Sequence, residues 1–241
     1  MTILLLDNVV KRFGGLVAVN NFSTQLQPGE LCALIGPNGS GKTTIFNLIS
    51  GIYEPTSGKI YFDGLDITGK RPDVIAGLGV ARTFQNIRLF KGLDVLGNVL
   101  VGQHLRVHSD PFSAMFGLPN YTREERMMRE KGMELLEALN LAHLAHEEPS
   151  SLPYGQQRKL EIARALATEP RLLLLDEPAA GMNRTESQEL MDFTLHILDT
   201  FELTIFLIEH QMRVVMSICP RIIVIDHGVI IAEGAPAAIQ N

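Results

Sequence analysis

The chain has 241 residues, of which 46% are apolar, so it can form one sizeable hydrophobic core. Its 21 Lys and Arg residues against 27 Asp and Glu residues give a formal charge of −6, which disfavours a generally basic nucleic-acid-binding protein. Two cysteines cannot form a disulfide framework, so we expect reduced thiols and a cytosolic protein. The apolar runs are far shorter than the roughly 18 residues of a membrane helix, so a membrane role would depend on a partner.

The first ninety residues have the pattern of β-strands separated by turns. Strands are predicted at Leu4 to Val10, Val17 to Gln27, Leu31 to Ile35 and Lys59 to Asp63. A helix is predicted from Lys42 to about Ser50. Between Leu93 and Ala145 the apolar residues take helical spacing among charged ones, which indicates a helical insertion.

The last third alternates helices with apolar strands. The predicted elements are a helix from Gly155 to about Thr168, a strand at Leu172 to Leu175, a helix from Thr185 to Leu198, a strand at Leu203 to Ile208, a helix from Gln211, and a hairpin of Arg221 to Asp226 with Val229 to Glu233. This alternation is typical of a parallel sheet covered on both faces. We therefore expect a single α/β domain over residues 1–241, with a helical subdomain at about 87–165.

A glycine-rich loop follows the apolar strand that ends at Ile35 and precedes the predicted helix. It consists of Gly36, Pro37, Asn38, Gly39, Ser40, Gly41, Lys42 and Thr43, and it fits G-x-x-x-x-G-K-[ST]. In such a loop the backbone N–H groups converge on phosphate oxygens, Lys42 reaches the β and γ phosphates, and Thr43 binds Mg²⁺. Thr44 extends the expected nucleotide-binding set. The alternative is a glycine-rich turn with an exposed lysine.

Two adjacent carboxylates, Asp176 and Glu177, end the strand that begins at Leu172. Open α/β sheets bind ligands at the carboxyl ends of their strands. Asp176 would help to hold Mg²⁺, and Glu177 would orient and deprotonate an attacking water. A hydrophobic run followed by Asp-Glu is a weak signal when it stands alone, because a plain strand end has the same pattern, and it becomes strong beside the phosphate loop.

His210 follows a second apolar strand, so we expect it at the same edge of the sheet, within reach of a γ phosphate. A lone histidine is more often structural or solvated. The other histidines have neither a cysteine nor an acidic ligand set of the kind that holds a structural metal, so the only metal expected is the Mg²⁺ of the nucleotide.

The segment from Leu152 to Gln157, which continues into a helical pattern to Leu166, resembles the ABC signature motif. With the phosphate loop, Gln85, the strand ending at Asp176, the D-loop at Ala179 to Asn183, and His210, the chain resembles an ABC ATP-binding subunit over nearly its whole length. The resemblance implies an α/β fold: a P-loop NTPase core of the ABC ATPase type, an N-terminal antiparallel β subdomain and an inserted helical subdomain.

Three further segments indicate which kind of ABC ATP-binding subunit the chain resembles. They are Gly79 to Phe90, Asp176 to Asn183 and Leu207 to His210. Together with an insertion around Val107 to Tyr121, they are similar to the ATPase subunit of branched-chain amino acid importers. The solute remains an analogy, because such a subunit does not touch the transported molecule.

The resemblance also implies roles for individual residues. Phe13 would stack on adenine, and Gln85 would link Mg²⁺ and the attacking water to the helical subdomain. The implied catalytic residues are Glu177, His210 and Gln85; the implied Mg²⁺ ligands are Thr43, Gln85 and Asp176; and the implied signature residues, which complete the partner's nucleotide site, are Pro153, Tyr154, Gly155 and Gln156. Two ATP-binding subunits are therefore expected, either two copies of this chain or this chain with a paralogue.

Two residues depart from the family's usual pattern. Pro153 stands where the signature commonly has Ser, so a hydroxyl contact to the γ phosphate is unavailable, and Asn183 stands where the D-loop often has Asp. The backbone N–H groups near Tyr154 to Gln156 remain, and proline suits the first turn of a helix.

The resemblance implies an Mg-dependent, ATP-hydrolysing subunit that powers an ABC importer for branched-chain amino acids, with ATP and Mg as cofactors, peripheral on the inner face of the cell membrane. Its expected partners are the second ATP-binding subunit and permease subunits that dock near Leu89 and Phe90, unless these two residues are simply core. No nucleic-acid partner is expected. The alternatives are a soluble ABC ATPase acting on nucleic acid or ribosomes, and an ATP-binding switch that does not hydrolyse.

Overall fold

The structure is a computed structural model that describes residues 2–104 and 119–240, with side chains for all of these except residues 119–122. The predicted insertion around Val107 to Tyr121 therefore lies largely outside the described residues. The chain divides into two compact units. The first unit comprises Met1–Gln85 and Pro170–Asn241, and the second comprises Asn86–Glu169.

The strands of the first unit are β1 (Leu4–Phe13), β2 (Leu16–Leu26), β3 (Leu31–Ile35), β4 (Ser57–Phe62), β5 (Leu65–Asp66), β6 (Val80–Arg82), β7 (Leu172–Asp176), β8 (Thr204–Ile208), β9 (Arg221–Asp226) and β10 (Val229–Gly234). The helices are α1 (Lys42–Ile49), α2 (Pro72–Leu78), α3 (Val95–Gln103), α4 (Pro119–Ala138), α5 (Tyr154–Leu166), α6 (Arg184–Thr200), α7 (Met212–Ile218) and α8 (Pro236–Ile239). Helices α3, α4 and α5 belong to the second unit, and the others belong to the first.

The first unit contains two sheets. One sheet is antiparallel, with the strand order β2-β1-β4-β5. The other has the order β10-β9-β3-β8-β7-β6, in which every pair is parallel except the β9–β10 hairpin. The predicted fold class is confirmed, because an antiparallel β subdomain, a parallel α/β core and a helical segment are all present.

Burial explains the parallel core. Every residue of β3, β7 and β8 is buried, as expected for apolar strands that are covered on both faces. Helix α1 contributes Phe46, whose ring centroid lies 5.3 Å from that of Phe206 on β8. One continuous core joins both sheets and α1, and it fixes the carboxyl ends of β3 and β7. These strand ends carry the residues singled out above.

The described residues of the second unit form helices, in agreement with the helical spacing between Leu93 and Ala145. Helix α3 begins after Asp94, whose carboxylate accepts a hydrogen bond from the Gly97 N–H at 2.7 Å. Helix α4 ends at Ala138, and Asn140 has a left-handed φ of 56°. In the part of the chain that the structure describes, no helix has both the length and the apolar character needed to cross a bilayer.

Helix α2 and strand β6 are two elements of the first unit that the sequence pattern did not predict. Helix α2 carries proline at its start and Gly79 in a left-handed conformation at its end, which are ordinary capping signals. Strand β6 spans only Val80–Arg82, too short for its periodicity to be recognised. It nevertheless forms the edge of the parallel sheet next to β7.

Candidate active site

The glycine-rich loop connects β3 to α1, and its backbone leaves no room for side chains at two positions. Gly36 has a φ of 156°, and a Cβ there would lie 2.1 Å from the carbonyl oxygen of Ile225. Gly41 has a φ of 106°, and a Cβ there would lie 2.4 Å from the carbonyl oxygen of Ala18. Only glycine fits these positions without a shift of backbone atoms.

The loop also concentrates polar groups suited to phosphate. The ammonium group of Lys42 is buried and donates hydrogen bonds to the carbonyl oxygens of Gly36 and Pro37, each at 2.8 Å. Burial lowers the pKa of Lys42, and the charges of Glu177 and Asp176 oppose that shift. The buried hydroxyl of Ser40 has no hydrogen-bond partner among the described residues. A buried cation and an unpaired hydroxyl beside the start of a helix match the needs of a bound phosphate.

A cavity of about 320 Å³ opens at this loop. Its lining includes Phe13, Asn38, Gly39, Gly41, Lys42, Thr43, Thr44 and Glu177 from the expected set, together with Leu16, Val17, Ala18 and His227. Gly36, Pro37, Ser40, Gln85, Asp176 and His210 are not among its lining residues. The cavity therefore joins the phosphate loop, the expected base-stacking residue and one of the two carboxylates.

Glu177 is held at both carboxylate oxygens. Its Oε1 lies 2.7 Å from Nε2 of His210, and its Oε2 accepts a hydrogen bond from Nε2 of Gln85 at 2.8 Å. Its backbone has a left-handed φ of 48°, and its N–H donates to the carbonyl oxygen of Ile208 at 2.9 Å. The structure thus places both His210 and Gln85 in direct contact with Glu177, although the three residues come from separate segments.

Asp176 ends β7, and its side chain is buried. Its Oδ2 accepts a hydrogen bond from Nη2 of Arg82 at 2.7 Å. Burial raises the pKa of Asp176, while the hydrogen bond and charge of Arg82 act in the opposite direction. Sequence analysis did not single out Arg82, because a partner 94 positions away leaves no local signal.

Glu209 is a second residue that sequence analysis missed. Its buried carboxylate accepts hydrogen bonds from the backbone N–H groups of Ala179, at 2.8 Å, and His210, at 3.0 Å. Burial is the main cause that raises the pKa of Glu209, and these backbone hydrogen bonds oppose it. Glu209 therefore joins the segment after Glu177 to the segment that carries His210.

The turn between β9 and β10 contacts the phosphate loop. The N–H of Gly228 donates to the carbonyl oxygen of Ser40 at 2.8 Å, and the carbonyl oxygen of Gly228 accepts from the Asn20 N–H at 2.9 Å. A Cβ on Gly228 would lie 2.6 Å from the carbonyl oxygen of Ala18. The hairpin was predicted, but its hydrogen bond to the phosphate loop was not.

Phe13, the residue expected to stack on adenine, lies at the end of β1 and is exposed. Its ring meets Tyr53 edge to face, with 5.2 Å between ring centroids. The ammonium group of Lys11 lies 5.0 Å from the Phe13 centroid. Phe13 is thus oriented by neighbours while it remains accessible at the mouth of the cavity.

The signature residues lie in the second unit, at the start of α5. Pro153 occupies the N-cap position, and its carbonyl oxygen accepts from the N–H groups of Gln156, at 2.9 Å, and Gln157, at 3.0 Å. Among the described residues, and apart from the chain neighbours and the backbone of the same helix, no atom lies within 4 Å of a Cβ placed on Gly155; Tyr154 is exposed. The start of this helix is therefore accessible.

Asn183, the other departure from the family's pattern, caps α6. Its Oδ1 accepts from the Glu186 N–H at 3.0 Å, and the Glu186 carboxylate accepts from the Asn183 N–H at 2.9 Å. This reciprocal capping box explains why an amide suits the position, since Asn and Asp are both favourable N-caps.

A phosphate loop between a parallel strand and a helix, with two carboxylates at the end of another strand of the same sheet, defines a P-loop nucleotide-binding protein. The chain belongs to the ABC transporter family, whose sequence pattern it matches over residues 19–180. This match includes the phosphate loop, the signature segment and the Asp176–Glu177 pair.

Individual relatives are similar over nearly the full length. The high-affinity branched-chain amino acid transport ATP-binding protein BraF of Pseudomonas aeruginosa is 43% identical, over 99% of this chain and 94% of its own. The corresponding protein LivG of Escherichia coli is 42% identical with the same coverage. The crystal structure of the ADP conformation of MJ1267, an ATP-binding cassette of an ABC transporter, has a TM-score of 0.87 and 35% identity, and it covers 100% of this chain and 94% of that one.

A more distant solved structure is the ATP-binding cassette MJ0796, described as a dimer in a post-hydrolysis state bound to ADP and Pi. It has a TM-score of 0.79 and 25% identity, and the alignment covers 97% of this chain and 98% of that one. The fold of this chain is thus shared with cassettes described in both nucleotide-bound and dimeric forms.

Proposed function

We propose that this protein is the ATP-hydrolysing subunit of an ABC importer for branched-chain amino acids. Family membership and the relatives BraF and LivG, which are named for branched-chain amino acid transport, support this proposal. The observation that carries the hydrolytic part is Glu177, whose two carboxylate oxygens contact His210 and Gln85 beside the phosphate loop.

In this proposal Glu177 is the general base for the attacking water. A carboxylate that is fixed at both oxygens is oriented before the reaction, which lowers the cost of reaching the reactive geometry. His210 donates to Glu177 through Nε2, because an ionised carboxylate only accepts hydrogen bonds. Lys42 and the backbone N–H groups of residues 36–43 bind the phosphates, and Phe13 stacks on the base.

The residues present also fit Mg²⁺. Thr43 lines the cavity, and Oδ1 of Asp176 accepts no hydrogen bond from any described residue, so it remains available to a ligand. Thr43, Asp176 and Gln85 would hold the ion with oxygen atoms, which Mg²⁺ prefers. When bound, Mg²⁺ neutralises charge that develops on the phosphate oxygens.

The partner in this proposal is a second ATP-binding subunit, either another copy or a paralogue. The accessible start of α5, with Tyr154 and Gly155 uncovered, suits a contact to the nucleotide of that partner through backbone N–H groups. The dimeric cassette MJ0796 supports pairing of this kind. ATP would join the two subunits, and hydrolysis would release them.

A contact for permease subunits is proposed around Phe90, a residue that is 50% exposed and therefore is not core. The buried amide of Asn98 fixes this residue, since it accepts from the Phe90 N–H at 2.8 Å and donates to the Phe90 carbonyl oxygen at 3.0 Å. Exposed aromatic side chains are enriched at contact sites. Docked there, the protein would lie on the inner face of the cell membrane.

The test of the hydrolytic proposal is Glu177→Gln, which keeps the size of the side chain and removes the base. Binding of Mg-ATP should persist, while turnover should fall by about 10²- to 10⁴-fold. Glu189→Gln is the matched control, because Glu189 is exposed on α6. Normal turnover in Glu177→Gln would exclude it as the base. Absence of turnover in the parent protein bound to its permease would favour the ATP-binding switch instead.

A further inference from the structure

Strand β6 ends at Arg82, whose buried side chain lies next to the carboxylate of Asp176 at the end of β7. The two strands are parallel, with Arg82 level with Leu174. The guanidinium group reaches Asp176, with Nη2 2.7 Å from Oδ2, and the two side chains are only 6% and 5% exposed. Removing one partner of such a buried pair leaves the other charge uncompensated.

The same guanidinium group is anchored to helix α1 and its C-terminal end. Its Nη1 donates to Oδ1 of Asn47 at 2.6 Å and to the hydroxyl of Ser50 at 3.2 Å. The guanidinium carbon also lies 5.7 Å from the ring centroid of Phe46 and 5.3 Å from that of Phe84. Because α1 begins at Lys42 of the phosphate loop, Arg82 ties Asp176 to the helix that carries this loop.

Arg82 occupies one oxygen of Asp176 and leaves the other available. The hydrogen bond is made to Oδ2, and within residues 2–104 and 119–240 no group donates to Oδ1. Three residues further along, Gln85 donates to Glu177 at 2.8 Å. One short segment therefore contacts both carboxylates of the candidate active site, each through a different side chain.

We infer that Arg82 is a positioning residue that holds the Asp176 carboxylate in the orientation in which Oδ1 serves Mg²⁺. This inference rests on the proposed nucleotide function of the site. Mg²⁺ demands near-ideal octahedral geometry, so it is sensitive to rotation of a carboxylate ligand. Groups that orient metal ligands typically change metal affinity by about 10- to 100-fold when they are mutated.

The contacts require arginine rather than any cation. A planar guanidinium group donates in two directions at once, to Asp176 through Nη2 and to Asn47 through Nη1. A lysine ammonium is a single point charge on a flexible stem, so it would retain the charge and lose the fixed geometry. Arg82→Lys therefore separates orientation of the carboxylate from compensation of its charge.

The experiment measures the affinity for a non-hydrolysable ATP analogue by calorimetry, in EDTA and over a series of Mg²⁺ concentrations. In Arg82→Lys the Mg²⁺ concentration for half-maximal tightening should rise by about 10- to 100-fold. Affinity in EDTA should stay within about twofold of the parent protein, because Lys42 and the backbone groups of the phosphate loop are intact. Asp176→Asn should lose most of the Mg²⁺ effect.

Two further variants control for general destabilisation. Arg221→Lys alters another ion-paired arginine of the same unit, which lies 2.7 Å from Glu30, and it should leave the Mg²⁺ dependence unchanged. Asn47→Ala keeps the Arg82–Asp176 bond and removes the second anchor, so a smaller shift of about threefold is expected. Thermal melts of all variants identify the folded proteins, and Asn47→Ala carries the test if Arg82→Lys does not fold.

A shift of the Mg²⁺ dependence in Arg82→Lys and Asn47→Ala that is absent from Arg221→Lys supports the inference. Unchanged Mg²⁺ dependence in folded Arg82→Lys, or an equal shift in Arg221→Lys, overturns it and leaves Arg82 with a structural role only. If nucleotide affinity of the parent protein does not respond to Mg²⁺, the proposed magnesium site itself fails, and that result is distinguishable because it appears without any mutation.

Discussion

Two segments of this chain, the phosphate loop and the signature segment, place backbone N–H groups at the start of a helix. They differ in how closely the surrounding atoms pack against them. The phosphate loop before α1 is enclosed, because Cβ atoms at Gly36 and Gly41 would collide with carbonyl oxygens of the same unit. The signature segment before α5 is open, because in the part of the chain that the structure describes no atom outside its own helix and chain neighbours lies within 4 Å of a Cβ on Gly155. Helix starts of both kinds attract anions.

The difference separates a self-contained site from a contact surface. Around the phosphate loop the chain supplies a buried lysine, a cavity and a carboxylate fixed at both oxygens. At the signature the chain supplies an exposed tyrosine and an uncovered glycine. We therefore expect the first segment to bind nucleotide within one chain and the second to act on the nucleotide of a partner.

The largest expected effect comes from adding one methyl group to each segment. Gly41→Ala should destabilise the protein by more than about 2 kcal/mol and greatly weaken ATP binding, since the left-handed conformation costs roughly 1–2 kcal/mol and the backbone collision adds to it. Gly155→Ala should change the free energy of unfolding by less than about 1 kcal/mol, because alanine suits a helix. Urea denaturation measures both values. Equal losses of unfolding free energy in the two variants would contradict the difference between the enclosed phosphate loop and the open signature segment.

Asn183 of the D-loop is exposed, and its side chain caps helix α6. Asn183→Ala should cost about 1 kcal/mol of stability, because it removes the side-chain half of the capping box at α6. Asn183→Asp should be neutral within about 0.5 kcal/mol, since both residues cap well. Thermal unfolding of the two variants checks this, and a large loss in Asn183→Asp would mean that the amide has a partner other than the helix end.

Much of the site could be predicted from local sequence, because its motifs are contiguous. The phosphate loop, the Asp176–Glu177 pair and the apolar strands β3, β7 and β8 each carry their signal within a few residues. Arg82 and Glu209 carried no such signal, because their roles depend on partners 94 and 30 positions away. A local sequence pattern predicts a loop, but it does not predict the long-range contacts that stabilise the loop.

Strand β6 and helix α2 show two different reasons for a missed element. Three residues cannot display a period of two, so β6 is defined by its pairing with β7 rather than by its own pattern. Helix α2 had usable signals in Pro72 and Gly79. Strand β6 is therefore recognisable only from its tertiary pairing, whereas α2 is recognisable from the residues at its two ends.

A smaller effect is expected from restoring a hydroxyl to the open segment. Pro153→Ser supplies a hydroxyl that can donate to a partner's phosphate. A neutral hydrogen bond contributes roughly 0.5–1.5 kcal/mol and a charge-assisted one roughly 1.5–3 kcal/mol, so association should tighten by at least about twofold. Analytical ultracentrifugation with Mg-ATP measures the dimer dissociation constant. Weaker association in Pro153→Ser would show that the signature does not use its N-cap position in this way.

The smallest expected effect concerns Glu209, the buried carboxylate that accepts hydrogen bonds from the backbone N–H groups of Ala179 and His210. Burial raises the pKa of Glu209 above its usual 4.5, so the folded state holds the proton more tightly than the unfolded state does. Its contribution to stability should therefore decline as pH rises from about 4.5 through the raised pKa. Glu209→Gln should remove this part of the pH dependence, and Glu189→Gln should retain it. An identical pH profile for Glu209→Gln and the parent would contradict the assignment.

The central claim is that the open segment of one chain completes the enclosed site of another, and nucleotide-dependent association tests it most directly. Sedimentation velocity is measured for Glu177→Gln, with and without Gly155→Asp, in the presence and absence of Mg-ATP. Gly155 has room for a side chain, so the double variant should fold, and a thermal melt verifies this. The predicted result is that Glu177→Gln dimerises with Mg-ATP while the double variant stays monomeric, because the added carboxylate crowds and repels the phosphate. Equal dimerisation of the two proteins on Mg-ATP would contradict the claim.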